Sequence, residues 1–152
     1  VIENGMVRLI SVGDSPGFVF GGKGKIKKKT TMQSPVGYAL ASGLYSEAQA
    51  KDNHNFHLVS HLVGFKDLSV EYSVPLCLSP RDKVLICSDG LSDNIHSDQM
   101  IDAFLSGDLA ANVDALVADA KEHMNKPKLQ SHHPDDCSMI VFKSNSTHGG
   151  ES

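Results

Sequence analysis

The sequence predicts a mixed α/β fold, and three observations carry that prediction. Short strand-like runs bounded by turn residues recur near 5–12, 17–21, 69–74 and 83–88, and again after Asp136. Two helix signals interrupt them: a capping box at Ser46-Glu47-Ala48-Gln49, and a long apolar stripe after Asp108. Strands and helices therefore alternate along the chain, as a layered α/β domain requires.

In chain order, residues 5–12 and 17–21 read as strands joined as a hairpin. Lys23, Lys25, Lys27, Lys28 and Lys29 then form a basic loop among Gly21, Gly22 and Gly24. The capping box opens a short helix ending near Asp52, and a second helical turn covers 55–62. Ser69 to Val74 and Lys83 to Ser88 are expected to be neighbouring strands, joined through Ser79-Pro80-Arg81-Asp82, where Pro80 pre-sets the turn dihedral. Asp98 to Leu105 is a helix stopped by Gly107. Asp108 caps the next, whose Leu109, Val113, Leu116, Val117, Ala120 and Met124 recur at helical spacing and must pack on a sheet. The polar stretch after Lys143 is expected to be a flexible tail, dividing the chain into a folded 1–143 and a tail 144–152.

Composition narrows the function classes. The 152 residues are 40% hydrophobic and 21% charged, ordinary for one globular domain. No apolar run approaches the ~20 residues that cross a bilayer, and no charged-then-apolar signal opens the chain, so a cytoplasmic, membrane-free protein is expected. Cys77, Cys87 and Cys137 are odd in number and lack a Cys-x-x-Cys pair, so neither a disulfide framework nor a structural zinc is expected. A net charge of -4 argues against broad nucleic-acid affinity.

Two segments carry chemistry. In Val84-Leu85-Ile86-Cys87-Ser88-Asp89-Gly90 an apolar run leads straight into an Asp-Gly pair, and Gly90 is expected to end the strand and leave its carbonyl open at a partly solvated rim. Asp135-Asp136 stands directly before Met139-Ile140-Val141-Phe142, a second strand-like run. If the two strand ends meet, their carboxylates suit a hard divalent cation such as Mg²⁺ or Mn²⁺. Asp89 could equally cap the next turn, and Asp135-Asp136 could be a turn pair after Pro134.

Taken together and in order, these segments resemble the metal-dependent protein phosphatases of the PPM type, the type 2C serine/threonine phosphatases, with bacterial members closest in wording. Ser11-Val12-Gly13-Asp14-Ser15-Pro16 looks like the family's Gly-Asp-Ser hairpin. Gln33-Ser34-Pro35-Val36-Gly37-Tyr38 and Leu58-Val59-Ser60-His61-Leu62-Val63-Gly64 resemble the stretch leading to its Leu-Thr-x-x-Leu-Gly segment. Ser88-Asp89-Gly90 and Asp135-Asp136-x-Ser138 match its last two acidic motifs. The earlier Glu-Asp and Asp-Gly-x-Gly-Gly motifs have no counterpart here. Val1 is not an initiator methionine and a strand begins almost at once, so the resemblance implies the C-terminal portion of a PPM-type αββα sandwich whose first strands and helices are absent.

What the resemblance implies is phosphoserine or phosphothreonine hydrolysis in the parent protein by water on a two-metal Mn²⁺ or Mg²⁺ centre, with phosphoproteins as substrates. Asp89 and Asp135 carry over as metal ligands. Gly90 would shape the metal pocket, Asp136 would orient the ligands from behind, and Asp14 would fix the hairpin through backbone amides. The missing N-terminal segment of the same domain is then a partner, and the site in this chain is partial. A catalytically inactive pseudophosphatase or protein-binding half-domain is the alternative. Lys23 and Lys25 could draw in a phosphorylated peptide or an acidic partner, or form a solvated loop. His57 and His61, expected one turn apart on a helix, lack the glutamate of a zinc protease. His132 and His133 beside Asp135 could donate a proton to a leaving alkoxide.

Overall fold

The computed structural model describes residues 1–126 and 134–143. The expected tail, 144–152, and His132-His133 lie outside these residues.

The centre of the molecule is a four-stranded antiparallel sheet in the order β5-β4-β8-β9, built from β4 (Gly17–Gly21), β5 (Lys25–Lys29), β8 (Lys83–Cys87) and β9 (Met139–Lys143). β4 and β8 are the middle strands and are apolar on both faces, which explains their unbroken hydrophobic runs. On one face Phe18, Phe20, Leu85 and Cys87 form a core with Leu91, Ile95, Met100, Phe104, Leu116 and Ala120 from the helix layer. Phe18 and Leu85 have no exposed surface, and burying such a side chain contributes about 1.5–3 kcal/mol. The opposite face presents Val19 and Val84 to Val7 and Leu9.

Val7 and Leu9 belong to a thin second sheet. β1 (Ile2–Glu3) pairs with β2 (Met6–Val7), β2 with β7 (Leu76–Cys77), and β3 (Ile10–Ser11) with β6 (Glu71–Tyr72). The Ile10↔Tyr72 and Val7↔Leu76 registers run in the same direction and differ by one residue, and the Ser73 amide donates to the Leu9 carbonyl at 2.9 Å. Residues 6–11 and 71–77 therefore form one irregular two-stranded ribbon. The expected pairing of 69–74 with 83–88 does not occur, because the two segments lie in different sheets. The Ser79–Asp82 turn forms as expected, closed by the Asp82 amide on the Ser79 carbonyl at 2.9 Å, but it joins β7 to β8.

Helix chemistry follows the sequence closely. Ser46 caps α2 (Glu47–Lys51) in a complete capping box, and Asp108 caps α5 (Leu109–Met124) by accepting from the Ala111 amide at 3.0 Å. α4 (Ser97–Leu105) starts one residue earlier than expected. α5 buries Leu116 and Ala120, the middle of its apolar stripe. Three expectations are corrected. A helix not foreseen, α1 (Pro35–Ala41), has Ser34 as its cap and Pro35 in its first turn. Residues 55–62 form no helix; Phe56 and Leu58 instead close separate turns on Asn53 and Asn55. The lysine segment is a strand, β5, rather than a flexible loop.

Candidate metal centre

Three acidic segments arrive at one end of the central sheet because three adjacent strands end or begin there. Asp14 precedes β4, Asp89 follows β8, and Asp135 precedes β9. Asp14, Asp89 and Asp135 line a single open pocket of about 510 Å³, together with Asp93 and His57 and an apolar wall that includes Met32, Phe56 and Leu62.

The meeting of the Asp89 and Asp135 segments is held by backbone chemistry. The ladder Cys87↔Met139 continues into the Ser88 amide donating to the Ser138 carbonyl at 2.9 Å. The Ser88 hydroxyl donates to the Asp136 carbonyl at 3.1 Å and accepts from the Ser138 amide at 3.0 Å. Gly90 packs so tightly on that carbonyl that a Cβ would stand 2.2 Å from the Asp136 oxygen. This revises the role expected of Gly90. It neither breaks the strand nor leaves its carbonyl open: it sits in a one-turn helix, α3 (Asp89–Ser92), and its carbonyl accepts from Asn94 Nδ2 at 2.9 Å. Its lack of a side chain lets the two acidic segments touch. Asp136 meets its neighbours through its backbone, whose carbonyl accepts from the Ser88 hydroxyl and whose amide donates to the Asp135 carboxylate. The Asp89 carboxylate accepts from the Gly90 amide at 2.9 Å, and that of Asp135 from the Asp136 amide at 2.7 Å.

Asp14 also differs from expectation. β3 and β4 lie in different sheets, so Gly13-Asp14-Ser15 is a crossing between sheets rather than a hairpin. Gly13 has φ of +90°, a left-handed conformation that favours glycine. Buried Gln33 fixes the crossing: its side chain accepts from the Gly13 amide at 2.8 Å, its own amide donates to the Gly13 carbonyl at 2.9 Å, and its Nε2 donates to the Ser69 carbonyl at 3.0 Å. The Asp14 carboxyl thereby enters the pocket. Its pKa is raised by burial and by the charges of Asp89 and Asp135, against its own backbone hydrogen bond.

Asp93 is the pocket acid that sequence reading missed. It stands four residues after Asp89, its amide donating to the Asp89 carbonyl at 2.8 Å, so the two carboxylates share one side of the helical turn. Burial, then the Asp89 charge, pushes Asp93 up to about 7, with Lys51 opposing. The i, i+4 spacing inside Asp89-Gly90-Leu91-Ser92-Asp93 was the signal available.

Other expected groups fall elsewhere. Lys23 and Lys25 lie at the hairpin end of β4 and β5, since Lys25 pairs with Gly21. Gly17, at the pocket end, is four residues away, about 13 Å along the strand. They are not part of this pocket. His61 Nδ1 lies 3.0 Å from the Asp67 carbonyl, and no helix aligns it with His57. Among the described residues, no three His, Cys, Asp or Glu side chains converge closely enough to hold a metal by themselves. No described helix is long and apolar enough to cross a membrane.

No protein-family model and no curated protein matches this chain. Solved structures do. The serine/threonine phosphatase Stp1 from Staphylococcus aureus superposes with a TM-score of 0.75 at 19% identity, over 95% of this chain and 54% of its own. The Mycobacterium tuberculosis phosphatase PstP/Ppp gives 0.74 at 19%, over 93% and 56%. The PPM Ser-Thr phosphatase MsPP from Mycobacterium smegmatis, solved with cacodylate, gives 0.68 at 24%, over 88% and 53%. A PstP catalytic domain among the matches is described as a complex with two manganese ions. The chain has the fold of bacterial PPM-type phosphatases and spans about half the length of the structures it matches.

Proposed function

We propose that this chain carries part of the active site of a PPM-type protein serine/threonine phosphatase, with Mn²⁺ or Mg²⁺ bound at the acidic pocket. The observation that carries the reading is the convergence of Asp14, Asp89 and Asp135, from three separate segments, on one pocket at the strand ends. The donor set fits a hard divalent cation: the acidic groups are carboxylate oxygens, and Asp14 feels the repulsion of Asp89 and Asp135 that a bound cation would relieve. Asp89 and Asp135 would be ligands, and Asp14 would add a third carboxylate rather than serve only the backbone.

Bound there, the cation would acidify water for attack on a phosphate monoester and neutralise charge on the phosphoryl group. The chain's own residues do the rest. Gly90 and Ser88 lock the Asp89 and Asp135 segments together, Gln33 sets Asp14, and Met32, Phe56 and Leu62 present an apolar wall to the residue bearing the phosphate. Phosphoserine and phosphothreonine proteins are the substrates this reading implies. That no three described His, Cys, Asp or Glu side chains converge closely enough to hold a metal by themselves favours one other reading, an inactive regulatory half-domain using the same scaffold.

Mn²⁺ titration of the full chain by calorimetry, beside hydrolysis of p-nitrophenyl phosphate with and without chelator, tests the proposal. Mn²⁺ binding that weakens roughly tenfold or more in Asp89→Asn supports it. A folded chain that binds no Mn²⁺ at millimolar concentration overturns it. Chelator-sensitive turnover would show that the acids present suffice for catalysis, and binding without turnover would mark a partial site.

A further inference from the structure

A buried ammonium stands behind the acidic pocket, and nothing in the proposed chemistry uses it. Lys51, the last residue of α2, is only 7% exposed. Its Nζ donates to the carbonyl of Ile95, two residues beyond Asp93, at 3.2 Å, and it forms no direct ion pair among the described residues. A buried charge is costly unless another charge answers it. Burial pushes Lys51 down to about 8, and the carboxylates that oppose this are Glu47 first and Asp93 second. Glu47 is already committed, since it receives the Lys29 ammonium at 3.0 Å together with the hydroxyl and amide of Ser97. Asp93 is not: the influences that favour its charge are Lys51 and then the Ser92 hydroxyl.

The cavities place this pair against the pocket. Lys51 and Asp93 line one small cavity of about 20 Å³, room for about one water molecule. Asp93, with Met32 and Phe56, also lines the large pocket that gathers Asp14, Asp89 and Asp135. Asp93 is therefore part of the partition between a buried cation and the pocket acids. The cation is fixed from both ends: its stem is buried on α2, and its head is bonded to the turn that carries Asp89 and Asp93. An ammonium held there attracts Asp93 and repels any divalent cation that enters beside it, with little solvent between to screen either effect.

From this we infer that Lys51 is a built-in counter-cation of the pocket: it reserves Asp93 and confines a bound divalent cation to the side made by Asp14, Asp89 and Asp135. The inference rests on the cation-site reading of that pocket and adds a residue that limits what the site takes. Lys51 is a positioning residue, acting on the metal through Asp93. Its removal has an unusual sign. A purely structural lysine would weaken cation binding when lost, because the turn bearing the acids would loosen. A counter-cation would strengthen it, because Asp93 becomes free to serve the metal.

The test is calorimetric titration of the 152-residue chain with Mn²⁺ at pH 7.5, comparing the native chain with Lys51→Met, Asp93→Asn and the double variant. Lys51→Met keeps the buried stem and removes the charge; should it fail to fold by circular dichroism, Lys51→Gln takes its place and keeps a donor for the Ile95 carbonyl. The expected result is Mn²⁺ bound roughly fivefold or more tightly by Lys51→Met, or one further Mn²⁺ bound, with the gain lost in the double variant. Thermal unfolding in chelator gives a reading without metal. There Asp93→Asn should raise the midpoint more in the Lys51→Met background than in the native chain, by about 3 °C or more. Native Mn²⁺ binding that Lys51→Met leaves unchanged or weakens overturns the inference and spares the cation-site reading, as do thermal shifts that simply add. If no form binds Mn²⁺, the cation-site reading fails and the inference falls with it.

Discussion

Glu47 and Asp14 are both half-buried carboxylates, yet their carboxyls are pushed in opposite directions. Glu47 receives the Lys29 ammonium at 3.0 Å and the Ser97 hydroxyl and amide, and these partners outweigh burial to bring its pKa down to about 2. Lys29 in turn lies 5.2 Å from the centre of the Phe18 ring, which ties the pair to the core. Asp82 is likewise lowered, held by Lys27 and the Ser79 and Gly22 amides. In the pocket the order reverses: Asp14 is raised and Asp93 reaches about 7, because burial and neighbouring carboxylates outweigh their partners. Acids that hold the fold together have been given their cations by the chain. Those of the pocket have been brought together without enough of them, and it is on that imbalance that the proposed cation site rests.

The largest effect should come from the contact that assembles the pocket. Gly90→Ala places a Cβ 2.2 Å from the Asp136 carbonyl oxygen, and neither backbone can yield without breaking the Ser88–Ser138 bonds. We expect a loss of about 3 kcal/mol or more in urea unfolding, far beyond an ordinary Gly→Ala change. A loss under 1 kcal/mol would mean that the Asp89 and Asp135 segments are not held in contact.

The two acid populations should also oppose one another in pH. Glu47 ionises near 2 when folded and near 4.5 in its ordinary state, so its stabilisation is complete above about 4.5 and disappears as pH falls towards 2. Asp93 ionises near 7 when folded and near 3.8 otherwise. The folded state then holds the extra proton between those values, and stability falls as pH rises through that window. Glu47→Gln should therefore cost about 1–2 kcal/mol at pH 7 and nothing near pH 2. Asp93→Asn should gain about 1 kcal/mol at pH 7.5 in metal-free buffer and nothing at pH 4. Thermal unfolding across pH checks both. Slopes of the same sign for the two variants would collapse the distinction between structural and pocket acids.

Local chemistry made much of this legible in sequence. The Ser46–Gln49 box, the Asp108 cap, the α5 stripe and the apolar strands β8 and β9 are all written within a few residues. The Ser34-Pro35 signal of α1 was equally local and was passed over. Pairing was harder, because β3 with β6 and β8 with β9 join residues some 50–60 positions apart, and no local pattern selects the partner. β5 hides as a loop because it is an edge strand of lysines with Ile26 as its lone apolar residue. Within the site, Asp89 and Asp135 were visible as strand-end acids. Asp14 lines the pocket, but it arrives there on a crossing between sheets rather than on the expected hairpin, and Asp93 escapes notice because an Asp-Gly pair spells a turn as readily as the start of a helical one.

The lysine strand β5 carries the smallest effect. A flexible basic loop could swing its charge over the acidic pocket, and neutralising it would then alter cation affinity severalfold. A strand cannot swing. With Lys25 fixed opposite Gly21, about 13 Å of strand from the pocket end and beyond a Debye length of about 8 Å in physiological salt, its charge is largely screened from Asp14, Asp89 and Asp135. Lys23→Ala/Lys25→Ala should therefore change Mn²⁺ affinity by less than about twofold at 0.15 M salt, whereas Asp14→Asn should weaken it roughly tenfold. The decisive reading is taken at 0.15 M salt, where screening is strong: if the lysine variant changes Mn²⁺ affinity well beyond twofold there, the β4–β5 hairpin reaches the pocket and the separation of the two ends of the sheet fails.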